Sequence, residues 1–186
     1  MKKEMLLIKE ENAILGILPD EMLKNIAGGK IKDTADKEWW EYLLDALQAA
    51  GHCFTGECLV CTPDGEKPIR EIQEGDEVIS LDDNGNRRRA KVASVIPAKP
   101  MPVVEVTFTN GRKWNTTETQ WFYCGDDDYA CVMDDQGKEA LTQDGRRAGV
   151  QNVVKTDRCE MVYDFIVEGL NVMFINGIAA EGYSLD

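Results

Sequence analysis

The spacing of apolar residues changes character near residue 52. Upstream, apolar side chains recur at helical intervals. Leu18, Met22, Leu23 and Ile26 lie at offsets of four, five and eight from Leu18, on one face of a helix. Pro19 suits the helix entry, Asp20 can cap it, and Gly28-Gly29 ends it in an open, extended backbone. A second helical pattern begins at Asp33 or Thr34 and stops at Gly51, with Trp39, Trp40, Leu43, Leu44 and Leu47 on a broad apolar face and acidic residues opposite. From Cys53 onward the period falls to that of strands. Short alternating or β-branched runs cover 58–62, 77–80, 91–96, 103–108, 113–117, 120–124, 150–154, 161–167 and 172–175. Turn residues separate them, notably Pro63-Asp64-Gly65, Asp82-Asp83-Asn84-Gly85, Asn110-Gly111 and Asn176-Gly177. Asn110-Gly111, between Thr109 and Arg112, reads as a two-residue hairpin turn. The pattern therefore divides the chain into a helix over 1–29, a helical peptide or linker over 30–52, and an all-β domain over 53–186.

Composition narrows the function classes. The net charge of −13 disfavours nucleic-acid binding, which needs a basic face for phosphates. No apolar run is long enough to span a bilayer. Met5-Leu6-Leu7-Ile8 is followed at once by Lys9, Glu10 and Glu11, so it does not read as a secretory signal. The six cysteines read as mostly reduced, with one reactive. Cys58 and Cys61 are the one pair with zinc-like spacing, but residues three apart on a strand point to opposite faces and no second pair matches. No metal and no organic cofactor is expected. The acidic stretch Asp126, Asp127, Asp128, Asp134 and Asp135 lacks a calcium-loop pattern and reads as solvated surface.

The block Cys53-Phe54-Thr55-Gly56-Glu57-Cys58-Leu59-Val60-Cys61-Thr62-Pro63-Asp64-Gly65, with Lys67-Pro68-Ile69-Arg70-Glu71-Ile72 and Gly75-Asp76-Glu77-Val78 after it, resembles the start of a Hedgehog/intein (Hint) domain. Two later blocks in the same order extend the resemblance over 53–186: Asn115-Thr116-Thr117-Glu118-Thr119-Gln120-Trp121-Phe122, and Val162 to Glu168 with Phe174-Ile175-Asn176-Gly177-Ile178 beyond it. The resemblance implies a horseshoe-like β fold with a pseudo-two-fold. It also implies autocleavage at His52–Cys53. The thiol of Cys53 would attack the carbonyl of His52 through a five-membered ring, so proximity is built into the covalent structure. Thr117 stands where such domains keep a threonine that polarises the scissile amide, and Asp164 where they keep an aspartate that assists the thiol. Gln120 replaces the helper histidine. Glutamine can donate a hydrogen bond to the amide but cannot carry a proton near neutral pH. The single histidine, His52, could act as acid from the other side of the bond, though its own backbone leaves little reach. At the far end Asn171 replaces a histidine and Glu181-Gly182 replaces the terminal His-Asn, so full splicing is not expected.

Leu18, Leu23, Ile26, Gly28 and Gly29 resemble a double-glycine leader of bacteriocin-type precursors. That resemblance implies a peptidase-containing ABC transporter that grips the apolar helix face and cuts after Gly29, and hence synthesis in a bacterial cytoplasm with export after leader cleavage. Three readings stay open. One is a self-processing domain that releases the upstream peptide to water or a thiol. Another is an inert Hint-like carrier of an exported peptide. In the third the fold binds a partner and Cys53 is an ordinary buried thiol.

Overall fold

The computed structural model describes residues 51–82, 85–169 and 171–185. The leader-like helix over 1–29 and residues 30–50 of the second segment lie outside the described residues. No helix among the described residues is long and apolar enough to cross a membrane.

The described chain is built of strands: β1 (Phe54–Thr55), β2 (Leu59–Thr62), β3 (Gly65–Pro68), β4 (Glu77–Leu81), β5 (Arg87–Phe108), β6 (Lys113–Thr116), β7 (Trp121–Gly125), β8 (Asp128–Cys131), β9 (Glu139–Leu141), β10 (Arg147–Glu168), β11 (Val172–Ile175), β12 (Ile178–Glu181) and β13 (Tyr183–Leu185). One 3₁₀ turn, Ile69–Glu71, follows β3. The spine is the antiparallel pair β5–β10, each 22 residues long, running from Val150↔Phe108 to Val167↔Val92. The sequence predicts four separate strands there. They are continuous because Pro97, Pro100 and Pro102 sit among register shifts rather than ending the strand. Proline lacks a ladder donor, so bulged or edge positions are where a long strand tolerates it.

Around this spine the sheet order is β13-β10-β1-β6-β5-β4-β11-β12-β7-β8. The main core packs Phe54, Phe108, Trp114, Phe122, Phe165 and Met173 with smaller aliphatics. Trp114 meets Phe54 and Phe108 edge-on, and its indole N–H donates to the Ile175 carbonyl at 2.7 Å. A second core holds Cys61, Tyr123, Tyr129 and Phe174. Cys58 lies in the first core and Cys61 in the second, so the two thiols serve different faces of the sheet. None of the six cysteines is joined in a disulfide.

Turn chemistry sets the registers. Asn176-Gly177 joins Ile175 to Ile178 with both residues at positive φ, 47° and 74°. These are the angles a two-residue hairpin needs to match strand twist. At Asn110-Gly111 the loop is one residue longer than the spacing predicts. Gly111 N–H bonds the Phe108 carbonyl and Phe108 N–H bonds the Arg112 carbonyl, with Gly111 at φ 80°. This is a turn closed by a left-handed glycine bulge, the commonest three-residue hairpin. The acidic pair Asp126-Asp127 forms the exposed β7–β8 turn.

Candidate functional site

Cys53 enters the sheet one residue ahead of β1, and β1 is inserted between β10 and β6: Phe54 pairs with Tyr163 on one side and Thr116 on the other. Both neighbours fix the backbone of the nucleophile candidate. Its carbonyl accepts from the Thr116 hydroxyl at 2.6 Å and the Thr117 N–H at 3.1 Å. Its N–H, the amide hydrogen of the His52–Cys53 bond, donates to Thr117 Oγ1 at 3.2 Å. The Thr117 hydroxyl in turn donates to the Gly51 carbonyl, which the Thr119 hydroxyl also reaches at 2.8 Å. A hydroxyl has one hydrogen and two lone pairs. Thr117 spends the hydrogen on Gly51 and a lone pair on Cys53, so one side chain ties the residues flanking His52. Thr116 and Thr119 complete the grip. The cluster of three threonines within 116–119 is visible in the sequence, but only the register of β1 against β6 shows that all three serve the same backbone.

The Cys53 side chain is 4% exposed and packs with Met101, Val103 and Val162. Burial, first, and the nearby Asp164, second, push its thiol well above the ordinary range, while Lys99 opposes them. Asp164 is 2% exposed, and its Oδ1 accepts the Phe165 N–H at 2.7 Å. Burial raises its carboxyl well above the usual carboxylate range, overriding that hydrogen bond. Burial thus biases both the thiol and the carboxyl beside it toward their protonated forms.

Gln120 sits elsewhere in this geometry. It is fully buried, and its amino group donates to the carbonyls of Trp121 at 2.9 Å and Glu181 at 3.1 Å. Both partners are acceptors only, which fixes the amide orientation. With both N–H bonds engaged there, Gln120 joins β7 to β12, and the Cys53 N–H donates to Thr117 instead. His52 is half-buried and stacks on Tyr183, ring centroids 6.1 Å apart and 15° from parallel. Burial lowers its pKa from 6.5 to about 4. It is neutral at pH 7, so the role of acid suggested by its position is unavailable there.

The far end of the domain returns to the same place. β13 runs parallel to β10, Ile166↔Tyr183 to Glu168↔Leu185, on the edge that β1 occupies at Val162 and Tyr163. Gly182 N–H donates to the Asn171 carbonyl at 2.8 Å, and the Asn171 side chain accepts from the Tyr129 hydroxyl at 3.3 Å. A Cβ added at Gly182 would stand 2.0 Å from Met173 Cε. The space a side chain would need at that position is thus filled by a buried methionine. Neither β13 nor this contact is visible in the sequence, because the three-residue strand has no periodicity to detect. No group of three or more potential metal ligands is found among the described residues.

No family model matches the sequence, and no curated protein does. Solved structures do match in shape. The gp41-1 intein is 20% identical, with 71% of this chain and 99% of that chain covered at a TM-score of 0.60. A bacterial intein-like domain from Clostridium thermocellum is 20% identical over 70% of this chain and 98% of that one, TM-score 0.62. A variant of the Ssp DnaB mini-intein is 18% identical over 72% and 94%, TM-score 0.63. With nearly the whole of each intein covered and strands throughout, the described part of this chain has the Hint fold of inteins.

Proposed function

We propose that this domain cleaves its own chain at His52–Cys53 by an N–S acyl shift, releasing the upstream segment without splicing. The observation that carries this reading is the scissile amide itself: its N–H is held by Thr117 at the head of β1 while the thiol of the same residue is sealed in an apolar pocket with Asp164 beside it. Attack forms a bond from Cys53 Sγ to the His52 carbonyl carbon and breaks the carbon–nitrogen bond. The thiol proton ends on the Cys53 nitrogen. Asp164, whose carboxyl burial makes more basic, assists the thiol beside it. Water or a thiol then takes the acyl group from sulfur. The reaction is slow in this account. Missing general acid catalysis costs about 10²–10⁴-fold, and Gln120 cannot replace it. Splicing is excluded from the proposal because Gly182 has no side chain to cyclise.

Intact-mass measurement of the full chain over days, with and without dithiothreitol, tests this. Fragments 1–52 and 53–186 are expected, faster with the thiol. A full-length mass that persists unchanged, and is identical for Cys53→Ala, contradicts the proposal.

A second reading has its own observation. With Gln120 committed to Trp121 and Glu181, and His52 held neutral, the fold offers an inert carrier for an exported peptide. Here Leu18, Leu23 and Ile26 would be gripped by a peptidase-containing ABC transporter and the chain cut after Gly28-Gly29. A leader peptidase that fails to cut after Gly29 would count against it.

A further inference from the structure

The apolar pocket around Cys53 is made by Met101 and Val103 of β5 and Val162 of β10. Residues two apart on a strand share a face, so Lys99 stands on the same face of β5 as Met101 and Val103. Across the ladder Lys99 pairs with Val162 itself, which packs on Cys53. The sequence between these residues is Lys99-Pro100-Met101-Pro102-Val103, so every inward position of this stretch faces the nucleophile candidate and one of the three is a cation.

We propose that Lys99 is a positioning residue for the acyl shift: from the Cys53 face of β5, its ammonium stabilises the negative charge that gathers on the sulfur during attack on the His52 carbonyl. This rests on the acyl-shift reading above. Lys99 gives up no proton in the step; the sulfur–carbon bond forms, the carbon–nitrogen bond breaks, and the thiol proton passes to the Cys53 nitrogen. Two titratable groups act on the sulfur: Asp164 on β10, which raises the thiol when ionised, and Lys99 on β5, which lowers it. His52, on the chain just before it, is held neutral near pH 7. The burial of the sulfur makes this one cation effective, since charges interact more strongly away from water.

The test reads thiol reactivity, which does not require the peptide bond to break. Iodoacetamide labelling of the full chain, followed by peptide mass mapping at short times between pH 7 and 9, gives separate rates for Cys53 and Cys58. Cys58 is buried to a similar degree, 2% against 4% exposed, and reports general opening of the fold. Lys99→Met is expected to slow Cys53 by about tenfold, one pKa unit, and to move its rate profile to higher pH, with Cys58 unchanged. Lys99→Arg is expected to retain the wild-type rate. A Cys53 rate within twofold of wild type in Lys99→Met, or an equal fall at Cys58, would overturn the proposal. Absence of cleavage in the wild type, by contrast, counts against the acyl shift alone and leaves the labelling comparison readable.

Discussion

Thr117 holds the backbone on both sides of His52 with a single side chain. One hydroxyl accepts from the Cys53 N–H and donates to the Gly51 carbonyl. Thr117→Val keeps the shape and removes both bonds, so self-cleavage is expected to slow by about 10²-fold, the usual effect of deleting one preorganised hydrogen-bonding group; single-turnover mass kinetics measure it. Two buried titrations beside it oppose each other. His52 has a folded pKa below its unfolded value, so its contribution to stability is lost as pH falls from 6.5 toward about 4. Asp164 has a folded pKa above its unfolded value, so its contribution is full at low pH and is lost as pH rises past the ordinary carboxylate range. Between pH 4 and 6.5 the two contributions therefore run in opposite directions. Asp164→Asn removes the falling component. Denaturant titrations should show that variant gaining on the wild type as pH rises; a constant gap between them would mean Asp164 does not titrate as described.

At the scale of elements, the hairpin β11–β12 is the pin of the fold. Asn176 Oδ1 accepts from the Leu59 N–H at 2.6 Å, its Nδ2 donates to the Lys113 carbonyl at 2.7 Å, and its own carbonyl accepts from Arg112 at 2.7 Å. These bonds tie β2, β6 and β11 at one turn. Gly177 follows at φ 74°, and a Cβ there would stand 2.2 Å from the Arg112 guanidinium. Gly177→Ala therefore combines backbone strain with displacement of that contact, and a loss of about 1–3 kcal/mol is expected in equilibrium unfolding. The hairpin turn was legible as Asn-Gly between β-branched runs. The joining of β5 and of β10 into 22-residue strands was not, because proline reads locally as a stop and only pairing with a partner shows a bulge. β1, β3 and β13 are too short or too polar to carry a periodic signal, yet β1 and β13 frame the site.

Over the whole molecule, the two ends of the domain meet on one edge of β10, with His52 stacked on Tyr183. The sequence blocks around Cys53, Thr117 and Asp164 pointed to the fold, because each carries a spacing that a closed sheet brings together. They could not show the direction of the electrostatics. A cysteine and an aspartate read as a reactive pair in text, whereas burial drives both toward their protonated forms. Nor could text show that the glutamine replacing the helper histidine bonds to Trp121 and Glu181. The molecule that results has a buried sulfur, a carboxyl near it biased toward its protonated form, and glutamine at the position where Hint domains keep a helper histidine.

Capturing the thioester tests that account most directly. Full-length protein incubated with free cysteine should yield fragment 1–52 carrying one added cysteine at its new C-terminus, read by intact mass, and Cys53→Ala should yield none. If the cysteine-tagged fragment never forms, or forms equally in Cys53→Ala, then no acyl group moves from the amide to this sulfur.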